Sequence, residues 1–227
     1  MSPHANDPKA LDLDATFHGI VGIGGALCLE FVNTHEWRGI SKSIDRFGSA
    51  DDVVHWARCV GLIDSLGAQR LRHIISDAPE PAAAFLGRAR SFREAIFSAL
   101  VEATHGQPIS ASSLEPVNLH LPSLLSRIEI SASDDAGRPR LRVGPPESDL
   151  TSILIEVAWS FLDLLRGDER RYVKQCAWPD CHWMFVDRTK NKRRRWCAMS
   201  ACGGRAKAAS FRARRLEVRV PAQGRIK

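Results

Sequence analysis

The stretch CAWPDCHWMFVDRTKNKRRRWCAMSACGGR, Cys176 to Arg205, carries four of the chain's six cysteines and its densest run of positive charge. The four follow the spacing C-x4-C-x15-C-x4-C, namely Cys176, Cys181, Cys197 and Cys202. A structural Zn2+ takes four soft ligands in a tetrahedron, and two short-range thiolate pairs joined by a loop supply them. Pro179 tightens the first turn, and Gly203-Gly204 lets the backbone pass close to the metal at the second. Two other readings compete. Unliganded core thiols would need an apolar setting, whereas this segment offers little core and much charge. A redox pair would use a two-residue gap and no second pair. The expectation is one structural zinc per chain. Four thiolates close its coordination sphere and leave no position for a catalytic water. Cys28 and Cys59 stand alone in apolar surroundings and read as small buried hydrophobes.

Charge separates along the chain. Residues 168–227 contain 17 Lys/Arg against 5 Asp/Glu, a net of +12, and residues 1–167 contain 15 against 21, a net of −6. A basic module on a mildly acidic body points to the module as the part that meets a polyanion. Lys190, Lys192, Arg193, Arg194 and Arg195 lie on the loop between the cysteine pairs. After Cys202, RAKAASFRARRL lacks proline and reads as a helix, with Arg205, Arg212 and Arg215 in one sector and Lys207 and Arg214 in another. Ala206, Ala209 and Ala213 form a strip between them. The expected phosphate contacts with double-stranded DNA are Lys192, Arg193, Arg194, Arg205, Lys207, Arg212, Arg214 and Arg215, with Arg205 also placed for a base edge. Trp183, Phe185 and Trp196 read as the finger's own small core.

The 227 residues, 44% apolar and 26% charged, fit a folded globular protein. The polar N-terminus MSPHANDPKALDLDAT lacks signal-peptide features, so a flexible leader over residues 1–16 and a cytoplasmic location are expected. Residues 17–167 read as a helical domain. One helix is capped by Ser49 and stopped by Gly61, a long one runs Pro79–Gly106, and a third starts at Ser148 or Asp149 and ends at Gly167. Ile128/Ile130 and Leu141/Val143 alternate around a DDAG turn, which predicts a hairpin. The finger is expected over 168–215 and a basic tail over 216–227. The fold class is mainly α with a small β-hairpin, plus a treble-clef or ribbon-like zinc finger.

Five further features of the segment carry a resemblance: C-x4-C, then W-x-F-x-D, then Thr189-x-Asn191, then R-R-W-C-x-M, and last C-G-x-R followed by Ala206-Lys207. It resembles the zinc finger named for its Cys-Gly-Asn-Arg signature, at the C-terminus of bacterial transcription regulators. Gly204 replaces the signature asparagine, while Arg205 matches. The N-terminal part is similar to the ABATE-type domain that accompanies this finger, through GGALCLEFVNT at 24–34 and Trp37-Arg38-Gly39. The resemblance implies a stress-linked regulator with a sensor-like helical domain ahead of a DNA-binding finger, the four cysteines serving as ligands.

The GIGG cluster at 22–25 matches neither G-x-G-x-x-G nor a Walker pattern and reads as a turn before a helix. Glu30, Asn33, Thr34 and Arg38, near that helix, are candidates for a small-molecule effector pocket, with capping and internal hydrogen bonds as the competing explanation. No Ser-His-Asp arrangement can be nominated, so no catalytic residue is expected. An RNA-binding or protein-interaction finger, and an enzyme with a structural zinc site, remain the alternatives to a DNA-binding regulator.

Overall fold

Apolar residues crowd one short helix, α1 (Leu27–Val32), and the body is built round it. Cys28, Leu29, Phe31 and Val32 are fully buried, and Glu30, the one polar residue of the helix, is buried with them. The computed structural model describes residues 17–133, 139–143 and 149–219. The leader expected over 1–16, the DDAG turn, the cap at Ser148 and residues 220–227 lie outside them.

Helix α2 (Ala50–Cys59) starts with a capping box, in which the Ser49 hydroxyl accepts the Asp52 N–H and the Asp52 carboxylate accepts the Ser49 N–H. Helix α3 (Ser65–Asp77) is capped by Asp64, whose carboxylate accepts the Gly67 N–H at 2.7 Å. The long α4 (Pro79–Thr104) buries Phe85, Ala89, Phe92, Ile96 and Leu100 along one stripe. Helix α5 (Ala111–Leu125) carries Pro116 and Pro122 within it. Each proline removes an N–H, which argues against a helix in the sequence, yet packing on α4 and on α6 (Thr151–Arg166) holds it. The cap of α6 differs from expectation. Leu150 occupies the cap position without a side-chain bond, and Asp149, one residue further out, accepts the Thr151 N–H at 2.6 Å. Gly167 ends the helix in extended conformation. No described helix is long and apolar enough to cross a membrane.

The strands form three antiparallel pairs among the described residues. β1 (His35–Glu36) pairs with β2 (Ile44–Asp45), and β3 (Ile128–Ser133) with β4 (Pro139–Val143). Ile128 faces Val143 and Ile130 faces Leu141, as the alternation predicts. After a 3-10 turn at Asp168–Tyr172, β5 (Val173–Gln175) pairs with β6 (Met184–Val186). All three residues of β6 are buried, in the same apolar cluster as Phe31, Phe92 and Phe161. The change of composition at Gly167 is therefore not a break in packing. The last element, α7 (Gly204–Arg219), follows a π-helical turn at Met199–Gly203. It runs four residues past the expected end at Arg215, because no breaker precedes Pro221.

Candidate functional site

The four cysteines of the spacing motif come together in space. Cys176 continues β5, its N–H donating to the Trp183 carbonyl at 2.8 Å, and Cys181 closes the turn at Pro179 by donating to Trp178 at 3.0 Å. Cys197 lies on the approach to the π-helical turn and Cys202 within it. All four sulfurs lie within 4.8 Å of one another, and those of Cys181 and Cys197 are 3.7 Å apart. Tetrahedral Zn–S bonds of about 2.3 Å place sulfurs about 3.8 Å apart. The Cys197 N–H points at the Cys176 sulfur from 3.4 Å, the kind of bond that steadies a thiolate. Hydrogen bonds from Cys181 and Cys197 drive the Cys176 thiol far down, and the Cys176 thiolate in turn pushes Cys181 and Cys197 up. Four buried sulfurs cannot all ionise without a shared cation. The donor set fits one structural Zn2+, held by Cys176, Cys181, Cys197 and Cys202.

The glycines beside the second pair differ. A Cβ on Gly203 would lie 2.8 Å from the Met199 sulfur and 3.3 Å from the Trp196 ring, so a side chain there has to displace the exposed end of Met199. On Gly204 it would meet only the Met199 carbonyl oxygen at 3.7 Å, and the backbone there is ordinary right-handed helix. The signature asparagine would fit.

The basic loop is anchored by a residue of the W-x-F-x-D motif. Asp187 is fully buried and accepts from Lys174 Nζ at 2.7 Å, the Arg194 N–H at 2.9 Å, and Thr189 through both N–H and hydroxyl. Burial alone would raise its carboxyl, but those donors hold it well below the usual range. Lys174 Nζ also reaches the Lys192 carbonyl at 2.6 Å. Arg194, one of the expected phosphate contacts, is taken up internally. Its guanidinium donates to the carbonyls of Trp196, Ile23 and Cys197 and lies 4.1 Å over the Phe185 ring. The Lys192 ammonium sits 4.2 Å from the Tyr172 ring.

The remaining expected contacts share another environment. Arg193, Arg205, Lys207, Arg212, Arg214 and Arg215 are exposed, and none has a carboxylate partner among the described residues. Of the alanine strip, Ala206 and Ala209 are half-buried and Ala213 is exposed. Beside α7 runs an open groove of about 460 Å³ lined by Trp196, Ala206, Lys207, Ser210, Phe211 and Arg214. Trp183 and Phe185 are buried, as expected of a finger core, while Trp196 is half-buried.

The four residues considered for an effector pocket are all taken up in hydrogen bonds inside the chain. The Glu30 carboxylate accepts the N–H groups of Gly22, Gly24 and Gly25 at 3.2, 2.8 and 3.1 Å, so the glycine turn cradles a side chain of its own chain. Burial raises this carboxyl and the three donors partly oppose the rise. Asn33 bonds both backbone groups of Met184, at 2.9 and 2.8 Å, and so pins β6 to α1. Thr34 donates to the Phe31 carbonyl and accepts from Arg93. Arg38 donates to the carbonyls of Val32 and His35 and to Glu94. Sequence reasoning missed the centre of this network, Arg93. It is buried within an apolar stripe and binds both oxygens of Asp45 at 2.7 Å. An arginine on the core face of α4 was the available signal.

Comparison with known protein families matches residues 25–168 to the ABATE model, described as "Putative stress-induced transcription regulator". Residues 173–215 match the CGNR zinc finger. No curated protein matches the chain.

Proposed function

The chain belongs to the ABATE family and ends in a CGNR zinc finger, and from that premise we propose that it is a DNA-binding transcription regulator of the cytoplasm. The observation that carries this reading is α7. It starts at the zinc site and presents Arg205, Lys207, Arg212, Arg214 and Arg215 to solvent without carboxylate partners among the described residues. A helix that starts at a metal site and carries five exposed cations suits a phosphate backbone rather than a protein core. Arg193 on the anchored loop is exposed as well. The buried body, with its glycine turn closed on Glu30, is the regulatory part in this reading.

The groove of Trp196 and Phe211 beside Lys207 and Arg214 favours a second reading, an RNA-binding finger that stacks unpaired bases. Competition binding of the full zinc-loaded protein with duplex DNA, structured RNA and heparin separates the two. With about five phosphates engaged, log affinity for duplex DNA should fall against log salt with a slope of roughly −4 to −5. Replacing Arg212 and Arg215 together should make that slope shallower by up to about 2 units on any duplex sequence. A flat salt response would leave a protein-interaction finger, and preference for RNA over duplex would favour the second reading.

A further inference from the structure

The signature arginine of the finger touches the body at one aromatic ring. The Arg205 guanidinium lies 4.8 Å from the centroid of Trp37, and it has no carboxylate partner among the described residues. A guanidinium stacked on an indole keeps its N–H edge free in the ring plane while its face is held, an arrangement suited to a phosphate oxygen.

Trp37 is itself in an unusual state. Its φ is 56, in the left-handed region that a bulky residue rarely adopts. Such a conformation persists only where the surroundings enforce it, and here they do. Arg38, the next residue, is tied to Val32, His35 and Glu94 and lies 4.1 Å over the Phe97 ring. On the far side of the loop the Arg46 N–H donates to the Thr34 carbonyl at 2.9 Å. The buried arginine network thus holds a strained turn whose product is a tryptophan ring turned toward the finger. Glu36, Trp37, Trp183, Ala201 and Arg205 line one small cavity together with Cys181, Cys197 and Cys202, which places the Arg205–Trp37 contact beside the zinc site.

We infer that Trp37 is a positioning residue for nucleic-acid binding: the body's turn presents its ring so that Arg205 is pre-oriented toward a phosphate next to the zinc site. The inference rests on the DNA reading above and adds that the body contributes to the interface. It also makes the Trp37 turn the place where a change in the body's arginine network reaches the finger.

The test is a double-mutant cycle on the full zinc-loaded protein, with duplex DNA affinity measured across salt. Glycine adopts this backbone without strain, so Trp37→Gly removes the ring while zinc content and the helical signal stay parental. Trp37→Gly is expected to weaken binding about fivefold, as is loss of a cation–π contact at a partly exposed site, with Trp37→Phe close to the parent. Combined with Arg205→Ala it should add almost nothing to the single Arg205→Ala loss, because both act through one contact. Without DNA, the side-chain NMR signal of Arg205 should lose its ring-current shift in Trp37→Gly. Parental affinity in Trp37→Gly, additive losses, or an unchanged Arg205 signal would each overturn the inference while leaving the DNA reading standing. A parent with no salt-dependent binding would overturn that reading and the inference with it.

Discussion

The two halves of the zinc site are held by different means. The first pair, Cys176 and Cys181, sits on the β5–β6 hairpin, whose Met184, Phe185 and Val186 belong to the body's core and whose backbone is bound by Asn33 and Gly24. The second pair, Cys197 and Cys202, leads into α7, most of which is exposed from Arg205 onward. The hairpin would keep its place without a metal. For α7 the metal is the principal tether, helped by Arg194 and the Arg205–Trp37 stack. Zinc here fixes the direction of a charged helix more than it creates a core.

That contrast is most exposed to metal removal. Chelation, or Cys197→Ser, should eliminate bound zinc by elemental analysis and weaken duplex DNA binding on the order of 100-fold, because the phosphate contacts proposed for α7 would lose their common orientation. Most of the body's helical signal should survive. Full unfolding on chelation would mean that the finger supports the body, the reverse of the account.

Asn33→Ala attacks the other half. It leaves the N–H and carbonyl of Met184 unpaired in a buried place, a loss of about 2–3 kcal/mol in denaturant unfolding. A change below about 0.5 kcal/mol would show that apolar packing alone holds the hairpin.

Asp187→Asn acts on the loop between the halves and should cost about 1–2 kcal/mol. Because donors depress the Asp187 carboxyl in the fold, its contribution is present above the unfolded value of about 3.9 and is lost as pH falls through the lower folded value. The variant should therefore show a weaker fall of stability below pH about 4. An unchanged acid limb would remove Asp187 as the anchor.

The smallest effect concerns the residue that departs from the signature. Gly204 lies in right-handed helix with room for a side chain, so Gly204→Ala should strengthen the start of α7 by about 0.5–1 kcal/mol, seen as slower amide exchange there. Gly203→Ala, which has to displace the end of Met199, should gain less.

Much of this was legible in the chain. Ser49 with Asp52, the stripe from Phe85 to Leu100, the Ile128–Val143 alternation and the four ligands all rest on local spacing, which a sequence displays directly. Two helices were hidden for separate reasons: α5 by Pro116 and Pro122, and α3 because it buries only Gly67, Ala68 and Leu71. The contacts that join finger to body were beyond reach, since Asn33 and Met184 lie 151 residues apart and no period links them. Arg194 shows the same limit. In the sequence it is one of five basic residues in a loop, and only the fold places Ile23 and Phe185 against it.

Hydrogen exchange on the full protein before and after zinc chelation tests the central claim most directly. The account predicts that amides of α7 lose protection while those of Met184 and Val186, bonded to Asn33 and Gly24, keep it. Equal loss in both halves, or none in α7, would contradict it.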